Sequence, residues 1–243
     1  MLDLVGRSCL ITGGSKGIGL AIATRFSQAG ATCTLVSRHE ESLRNAVSSL
    51  AKCGQRDHSF LVGDVGDRAF WEQAVKANPG IDILVNSAGQ SQTSLLLRTP
   101  VDEIDDLVRV NLLGTIYGSK FYFKEMARAR RGCIINISSI LAVTGGGGSS
   151  VYAASKAGLH GFVKSMAKEA SRFNVRINNI LPGYVETEMT AALRSSTRAD
   201  ALLQTPLGRF GTAVEVADAA YYLATSGYVT GTDLVIDGGY ASR

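Results

Sequence analysis

The sequence predicts an α/β protein: a doubly wound, seven-stranded parallel sheet with helices on both faces. Short apolar runs alternate with longer amphipathic segments along the chain, which is the rhythm of strand–helix–strand units. Several runs are apolar nearly throughout, as in 133–137, and this is typical of strands buried on both faces. The 243 residues contain no Pro-rich linker and no internal repeat, so we expect one domain over 1–243.

Each element follows from this rhythm. Strands are predicted at 8–12, 32–37, 59–62, 81–85, 133–137, 175–180 and 234–237. Helices are predicted at 17–29, 40–52, 68–77, 102–129, 152–172 and 214–225. Residues 188–211 break the rhythm with mixed helical and loop signals, and long connections of this kind are often lids over a substrate.

Composition excludes several classes of function. Hydrophobic residues make up 45% of the chain and charged residues 19%, which is ordinary for a folded protein. The net charge of +4 is dispersed except for a short cluster at Arg128, Arg130 and Arg131, so we expect no nucleic-acid binding. A local basic patch for an anionic partner stays possible.

The cysteines, the histidines and the hydropathy of the sequence indicate where in the cell the protein works and whether it binds a metal. The four cysteines form no CxxC pair and resemble small core residues of a reducing compartment. No apolar run approaches the roughly 18 residues of a membrane span, and no cleaved signal is evident. The three histidines stand apart from one another, so no metal site is predicted. We expect a soluble, intracellular protein without a membrane partner.

Four short motifs follow predicted strands. They are TGGSKGIG at 12–19, NSAG at 86–89, Ser139 after the fifth strand, and PGYVET at 182–187. Ligands of open parallel sheets bind beyond the carboxyl ends of the strands. These motifs therefore predict one site along that edge.

The glycine turn is suited to a dinucleotide. Gly13, Gly17 and Gly19 lie between a strand and a helix, and they allow the backbone to turn tightly beside a phosphate. The helix N-terminus then offers unpaired amides to a pyrophosphate. Ser15, Lys16 and Ile18 complete the predicted contacts of this turn.

The end of the second strand bears on cofactor choice. Ser37 and Arg38 stand where an acidic residue would accept hydrogen bonds from an adenosine ribose. Arg38 and Lys16 can instead bind a 2′-phosphate, which favours NADP(H), although both can also be ordinary surface cations. Asp64 and Val65 end the third strand, where the carboxylate can meet the adenine amino group or cap the following turn.

Tyr152 and Lys156 in YAASK share one helix face. A nearby ammonium group favours the phenolate form of a tyrosine, so the pair can move a proton near neutral pH. Ser139 lies thirteen residues before Tyr152. A core tyrosine beside a solvated lysine is the alternative for the pair alone.

The motifs in this sequence are TGGSKGIG, NSAG, Asn111 in VNLLG, Ser139 in NISS, YAASK, PGYVET and the terminal DGG. The whole set of motifs resembles the short-chain dehydrogenase/reductase family, and it covers essentially the whole chain. The resemblance implies a single-domain Rossmann fold and a catalytic tetrad. In it Tyr152 protonates the carbonyl oxygen, Ser139 polarises it, Lys156 binds the nicotinamide ribose and lowers the tyrosine pKa, and Asn111 holds a water that passes protons to Lys156.

The resemblance also implies further cofactor contacts. Thr187 would bind the nicotinamide carboxamide, and Pro182, Gly183 and Val185 would shape its pocket. Asn86, Ala88 and Gly89 would line the adenosine ribose. Ser138 competes with Ser139 for the catalytic place, and the family spacing to Tyr152 favours Ser139.

Within the family, YAASKAGLHGF, PGYVETEMT and PLGRFGTAVEVA are most similar to 3-oxoacyl-acyl-carrier-protein reductases, including mitochondrial carbonyl-reductase-like members. This implies NADPH-dependent reduction of a 3-oxoacyl thioester in fatty acid biosynthesis, in the cytoplasm or the mitochondrial matrix. It also implies a homotetramer paired through the two long helices. A carrier protein would dock beside the site on Arg130 and near Arg172, although Phe173 replaces the second basic position.

Other functions stay open. The same chemistry can serve a quinone, a polyketide or another ketone, or run as alcohol oxidation; a non-catalytic cofactor-sensing protein is a more distant alternative. Four consecutive glycines, Gly145 to Gly148, predict either an open mouth for a long acyl chain or bulky ketone, or a flexible surface loop.

Overall fold

The computed structural model of the protein describes residues 4–52, 57–191, 193 and 195–242. Its strands are β1 (Ser8–Thr12), β2 (Thr32–Ser37), β3 (Ser59–Val62), β4 (Ile83–Asn86), β5 (Gly132–Ile137), β6 (Val175–Pro182) and β7 (Asp233–Ile236). They form one sheet in the order β3-β2-β1-β4-β5-β6-β7, and every neighbouring pair is parallel. The predicted seven-stranded parallel sheet is confirmed.

The helices are α1 (Gly17–Gln28), α2 (Glu40–Ser49), α3 (Arg68–Ala77), α4 (Val101–Val108), α5 (Gly114–Ala129), α6 (Leu141–Thr144), α7 (Ser150–Ala170), α8 (Glu188–Ala191), α9 (Ser195–Gln204) and α10 (Ala213–Thr225). The prediction of one unbroken helix over 102–129 is wrong, because a π-helical turn (Arg109–Leu113) separates α4 from α5. Such turns occur frequently at functional sites.

The sheet is buried on both faces, as the apolar runs predict. On β1, Cys9 and Ile11 face one hydrophobic core, which α1, α2 and α10 cover, whereas Leu10 faces the other, which α3, α5 and α7 cover. Successive side chains of a strand point to opposite faces, so one apolar run supplies both cores.

Several chain-wide expectations can be compared with the described residues. Cys9, Cys33 and Cys133 are free and buried, while Cys53 lies outside the described residues. No helix in the described part of the chain is long and apolar enough to cross a membrane. Among those same residues, no group of three or more His, Cys, Asp or Glu side chains is arranged to hold a metal ion.

Candidate active site

A cleft of about 1560 Å³ lies along the carboxyl edge of the sheet. The glycine turn, the ends of β2 and β3, the segment after β4, the segment between β5 and α7, and α8 with α9 all border it. Most of the residues predicted for a cofactor or for catalysis line this cleft: Gly13, Ser15, Lys16, Gly17, Ile18, Gly19, Ser37, Arg38, Asp64, Val65, Ala88, Gly89, Ser139, Tyr152, Lys156, Pro182, Gly183, Val185 and Thr187.

The glycine turn leaves no room for a side chain at Gly19 and little at Gly13. A Cβ on Gly19 would lie 2.3 Å from the carbonyl oxygen of Gly13, and one on Gly13 would lie 3.0 Å from the backbone of Ala88. Gly17 has a φ of +55° and no protein atom closer than 3.6 Å to such a Cβ. The turn thus brings the N-terminus of α1 to the cleft, where its unpaired amides suit a pyrophosphate group.

Cations and carboxylates pair at two places along the cleft, one between the glycine turn and α8 and one at the end of β3. The Lys16 ammonium pairs with Glu188 of α8 at 2.5 Å. Asp64 accepts hydrogen bonds from the Gly66 amide (2.8 Å) and the Arg109 guanidinium (2.9 Å). Burial raises the pKa of Asp64, but these two donors outweigh it and hold the pKa below its ordinary value. Asp64 therefore keeps its charge and also ties β3 to the π-helical turn.

Ser139, Tyr152 and Lys156, the three predicted catalytic residues that line the cleft, lie on one side of it, which we call the catalytic wall. Burial raises the pKa of Tyr152, and the Ser139 hydroxyl lowers it in part. Burial lowers the pKa of Lys156 from 10.5 to about 8. The Lys156 ammonium donates to the Ile137 carbonyl at 2.8 Å and lies 6.0 Å from the centre of the Tyr152 ring. Near neutral pH the wall therefore offers a protonated phenol close to a cation.

Asn111 lies in the π-helical turn and is fully buried. Its side chain accepts from the Gln90 amide (2.8 Å) and donates to the Gln90 carbonyl (3.0 Å) and the Ser155 hydroxyl (3.2 Å). A Cβ on Gly89 would lie 3.2 Å from Asn111 Oδ1 and 3.4 Å from Lys156 Nζ, so the two groups adjoin one residue. Asn111 thus joins the segment after β4 to the turn of α7 that carries Lys156; its predicted water stays a prediction.

Asn86 departs from the expected placement. Its side-chain amide donates to Asn136 (2.9 Å) and Ser119 (3.3 Å), inside the layer between the sheet and α5. Among the described residues, the lining of the cleft includes Ser87 in this motif but not Asn86. The side chain of the last strand residue faces a helix, and the chain turns into the cleft one residue later.

Arg130 and Arg172 are also not where the sequence placed them. Arg130 donates to the Arg172 carbonyl at 3.0 Å, so the two arginines are neighbours. They lie where α5 and α7 end, just before β5 and β6 begin, and hence at the amino edge of the sheet. The length of α7, about 30 Å at 1.5 Å per residue, separates them from Tyr152. Within one chain they are not beside the catalytic wall.

Gln92 lies beside the site, and no motif in the sequence predicts it there. It is buried, its Oε1 accepts from the backbone amides of Val151 (2.8 Å) and Tyr152 (3.2 Å), and its Nε2 donates to the Thr99 hydroxyl (3.0 Å). It therefore caps the first turn of α7, the turn that contains Tyr152. No local signal announces this, because Gln92 lies about sixty residues before its partners.

Known proteins are similar to this chain over most of its length, including the stretch that contains the residues of the site. The family model described as "short chain dehydrogenase" matches residues 7–198. The 3-oxoacyl-[acyl-carrier-protein] reductase of Chlamydia pneumoniae is 39% identical over 244 residues, covering 98% of each chain. Carbonyl reductase family member 4 of Xenopus laevis is 40% identical over 239 residues, covering 97% of this chain and 98% of its own. A short-chain type dehydrogenase/reductase from Mycobacterium marinum has the same fold, with a TM-score of 0.91 at 31% identity over 100% of this chain and 98% of the other.

The fold and the cleft define a class of oxidoreductase that uses a nicotinamide dinucleotide. Within that class, the chain belongs to the short-chain dehydrogenase/reductase family. Its resemblance to 3-oxoacyl-acyl-carrier-protein reductases, predicted from the sequence, is confirmed at the level of similarity.

Proposed function

We propose that the protein is an NADPH-dependent ketoreductase whose preferred substrate is a 3-oxoacyl thioester. The observation that carries the proposal is the catalytic wall of Ser139, Tyr152 and Lys156 in the same cleft as the glycine turn. The names of two relatives, a 3-oxoacyl-carrier-protein reductase and a carbonyl reductase, support a ketone substrate.

The chain's residues have distinct roles in this reaction. When bound, a reduced nicotinamide supplies the hydride. Tyr152 donates its proton to the substrate oxygen, and Ser139 donates a hydrogen bond to that oxygen. The Lys156 ammonium stabilises the resulting phenolate. The glycine turn holds the phosphates, and Thr187, Pro182, Gly183 and Val185 adjoin the nicotinamide end.

Tyr152→Phe is the direct test of this chemistry. The variant keeps the ring but has no proton to donate, so NADPH oxidation with acetoacetyl thioesters should fall by at least 100-fold, within the range usual for general acid catalysis. Tyr117→Phe, at a partly buried tyrosine of α5, is the control and should keep its activity. Full activity in Tyr152→Phe would refute the assignment.

The proposed preference for NADPH rests on Arg38, which follows β2, and on Lys16 of the glycine turn, both of which line the cleft. Arg38→Asp replaces an anion-binding group by a carboxylate and should weaken NADPH binding far more than NADH binding. Arg44→Asp, on the exposed face of α2, controls for the change in net charge. Equal losses for both cofactors in Arg38→Asp would contradict the proposal.

The substrate side of the cleft is partly apolar. Leu95, Leu141, Met189 and Leu193 line it, and Gly145 to Gly148 contribute backbone without side chains. Such a wall suits an acyl chain or a bulky ketone. Residues 188–211, the predicted lid, contribute Met189 and Leu193; positions 192 and 194 lie outside the described residues.

A substrate panel separates the candidates. It contains carrier-bound and free 3-oxoacyl thioesters, a quinone, a polyketide-like ketone and the matching alcohols with NADP. The proposal expects the highest kcat/KM for a 3-oxoacyl thioester. A higher value for quinones or simple ketones would favour a broader carbonyl reductase, which is the second candidate because one relative carries that name.

Carrier-protein docking on Arg130 and Arg172 is consistent only with an assembly. Antiparallel pairing of α5 and α7 about a two-fold axis would bring the arginines of one copy toward the catalytic end of another. We therefore expect the proposed homotetramer, or at least this dimer, to precede carrier recognition. Light scattering that shows a monomer fully active with carrier-bound substrate would refute this arrangement.

A further inference from the structure

A chain of polar side chains connects β7 to the catalytic turn of α7. Asp233 Oδ2 lies 3.6 Å from His160 Nδ1, and His160 Nε2 lies 3.2 Å from the Ser138 hydroxyl. That hydroxyl donates to the Lys156 carbonyl at 3.1 Å. We propose that His160 is a positioning residue of the reductase: through Ser138 it holds the backbone of Lys156. The inference rests on the proposed function and adds a residue to it.

The outer end of this series of hydrogen-bonded side chains is Asp233, which is held by side chains that cross the sheet. Asn86, Asn136 and Asn179 occupy facing positions on β4, β5 and β6, and Asp233 faces Asn179 on β7. Their side chains are linked in sequence by hydrogen bonds of 2.9, 3.2 and 2.8 Å. One oxygen of the Asp233 carboxylate is therefore held by the last amide of a buried row, which fixes the carboxylate beside His160 although its side chain is 21% exposed.

The inner end is tied to both the sheet and the helix. The Ser138 amide donates to the Ile180 carbonyl of β6 at 2.8 Å, and its hydroxyl reaches Lys156. Ser138 immediately precedes Ser139 in the sequence. The Ser138 hydroxyl therefore couples the position of Ser139 to that of the helical turn that carries Lys156.

The donors and acceptors of these side chains explain why a histidine is suited to this place. A serine hydroxyl has one proton, so while it donates to Lys156 it can only accept from His160. His160 Nε2 must then carry a proton. The Asp233 carboxylate can only accept, so it is matched when Nδ1 carries a proton as well, and a histidine can hold protons on both nitrogens at once. His160 is absent from the described lining of the cleft, so its influence passes through Ser138 rather than through substrate.

Two near-isosteric substitutions separate this role from general packing. The amide of glutamine reaches the place of imidazole Nε2, whereas that of asparagine reaches only the place of Nδ1. We expect His160→Gln to keep kcat within about twofold, and His160→Asn to lower it about tenfold, the rate equivalent of one neutral hydrogen bond. KM for NADPH should be unchanged in both. Lys164→Met, which removes a 61% exposed neighbour of Asp233, is the control and should leave kcat unchanged.

A second variant protects the test against a folding defect. Ser138→Ala should lower kcat as His160→Asn does, and the double variant should be no slower than either. Equal kcat values for His160→Gln and His160→Asn, or additive losses in the double variant, would overturn the proposal.

Nitrogen NMR of the imidazole gives a readout that does not depend on activity. His160 Nε2 should carry a proton in the wild-type protein, and its resonance should shift in Ser138→Ala. An unprotonated Nε2 contradicts the inference even if the enzyme is active. A wild-type protein that reduces no ketone, with the expected imidazole signal, would instead refute the proposed function and leave the hydrogen-bonded chain supported.

Discussion

Replacing Lys156 by methionine is expected to stabilise the folded protein while it abolishes ketone reduction. Burial lowers the pKa of Lys156 from 10.5 to about 8, and at 1.36 kcal/mol per pH unit the buried charge costs about 3 kcal/mol at neutral pH. Solvent screens little of this, because Lys156 is only 5% exposed. Functional residues often reduce stability in this way.

Methionine fills a similar length without a charge, but it cannot donate to the Ile137 carbonyl as Lys156 does. Leaving that carbonyl without its donor costs about 1–2 kcal/mol. The net gain in unfolding free energy is therefore about 1–2 kcal/mol. For a chain of this length the melting temperature should rise by about 2–8 °C.

The pH dependence gives the sharper test. Below pH 8 both the folded and the unfolded wild-type protein keep the Lys156 proton, so the full cost is present. Between pH 8 and 10.5 the folded protein loses this proton first, and wild-type stability rises relative to the methionine variant. The stability advantage of the methionine variant should therefore shrink and then reverse as the pH rises through this window, because wild type regains about 3 kcal/mol and starts only about 1–2 kcal/mol lower.

Urea denaturation of the two proteins across that window measures the difference. Lys168→Met is the matched control, because Lys168 is exposed on the same helix and its removal should change stability little at any pH. A methionine variant less stable than wild type at neutral pH, or a difference that stays constant with pH, would refute the reasoning.

Three further expectations follow from single contacts. Gln92→Leu removes the cap of α7 and should lower kcat about tenfold with little change in KM for NADPH, measured by steady-state kinetics. Ketone reduction should decline as pH rises through about 8, where Lys156 loses its proton; a flat rate profile there would contradict its role. Gly118→Ala places a Cβ 2.6 Å from the Trp71 ring and should destabilise the fold by about 1–3 kcal/mol, whereas Gly161→Ala meets no atom within 4 Å and should not, as thermal denaturation will show.

The sheet was predictable because each of its strands is an apolar run with a turn after it. The π-helical turn could not be predicted in this way. The apolar residues of α4 and α5 recur with one helical spacing, and a turn with a single extra residue leaves that spacing nearly unchanged. What marks the turn is tertiary: Asn111 contacts Gln90 and Ser155, which are distant in sequence.

The site was predictable where a motif directly follows a strand, as at Gly13 and Ser139. The site could not be predicted where the direction of a side chain decides whether the residue faces the cleft. Asn86 belongs to such a motif, yet its side chain faces α5 because the chain has not left the strand at that residue. Arg130 and Arg172 were assigned by resemblance alone, although their positions just before β5 and β6 already imply the amino edge of the sheet.

The catalytic turn of α7 is held from three directions, each by a side chain outside it. Gln92 binds its first amides, Asn111 binds Ser155, and Ser138 binds the Lys156 carbonyl. None of these contacts uses the Tyr152 hydroxyl or the Lys156 ammonium, so both groups stay available to substrate and cofactor. Because all three supports act on one rigid turn, loss of a second support should cost less rate than loss of the first, which double-mutant cycles among Gln92, Asn111 and Ser138 can measure. Strictly additive losses would mean that the three contacts act on separate parts of the site.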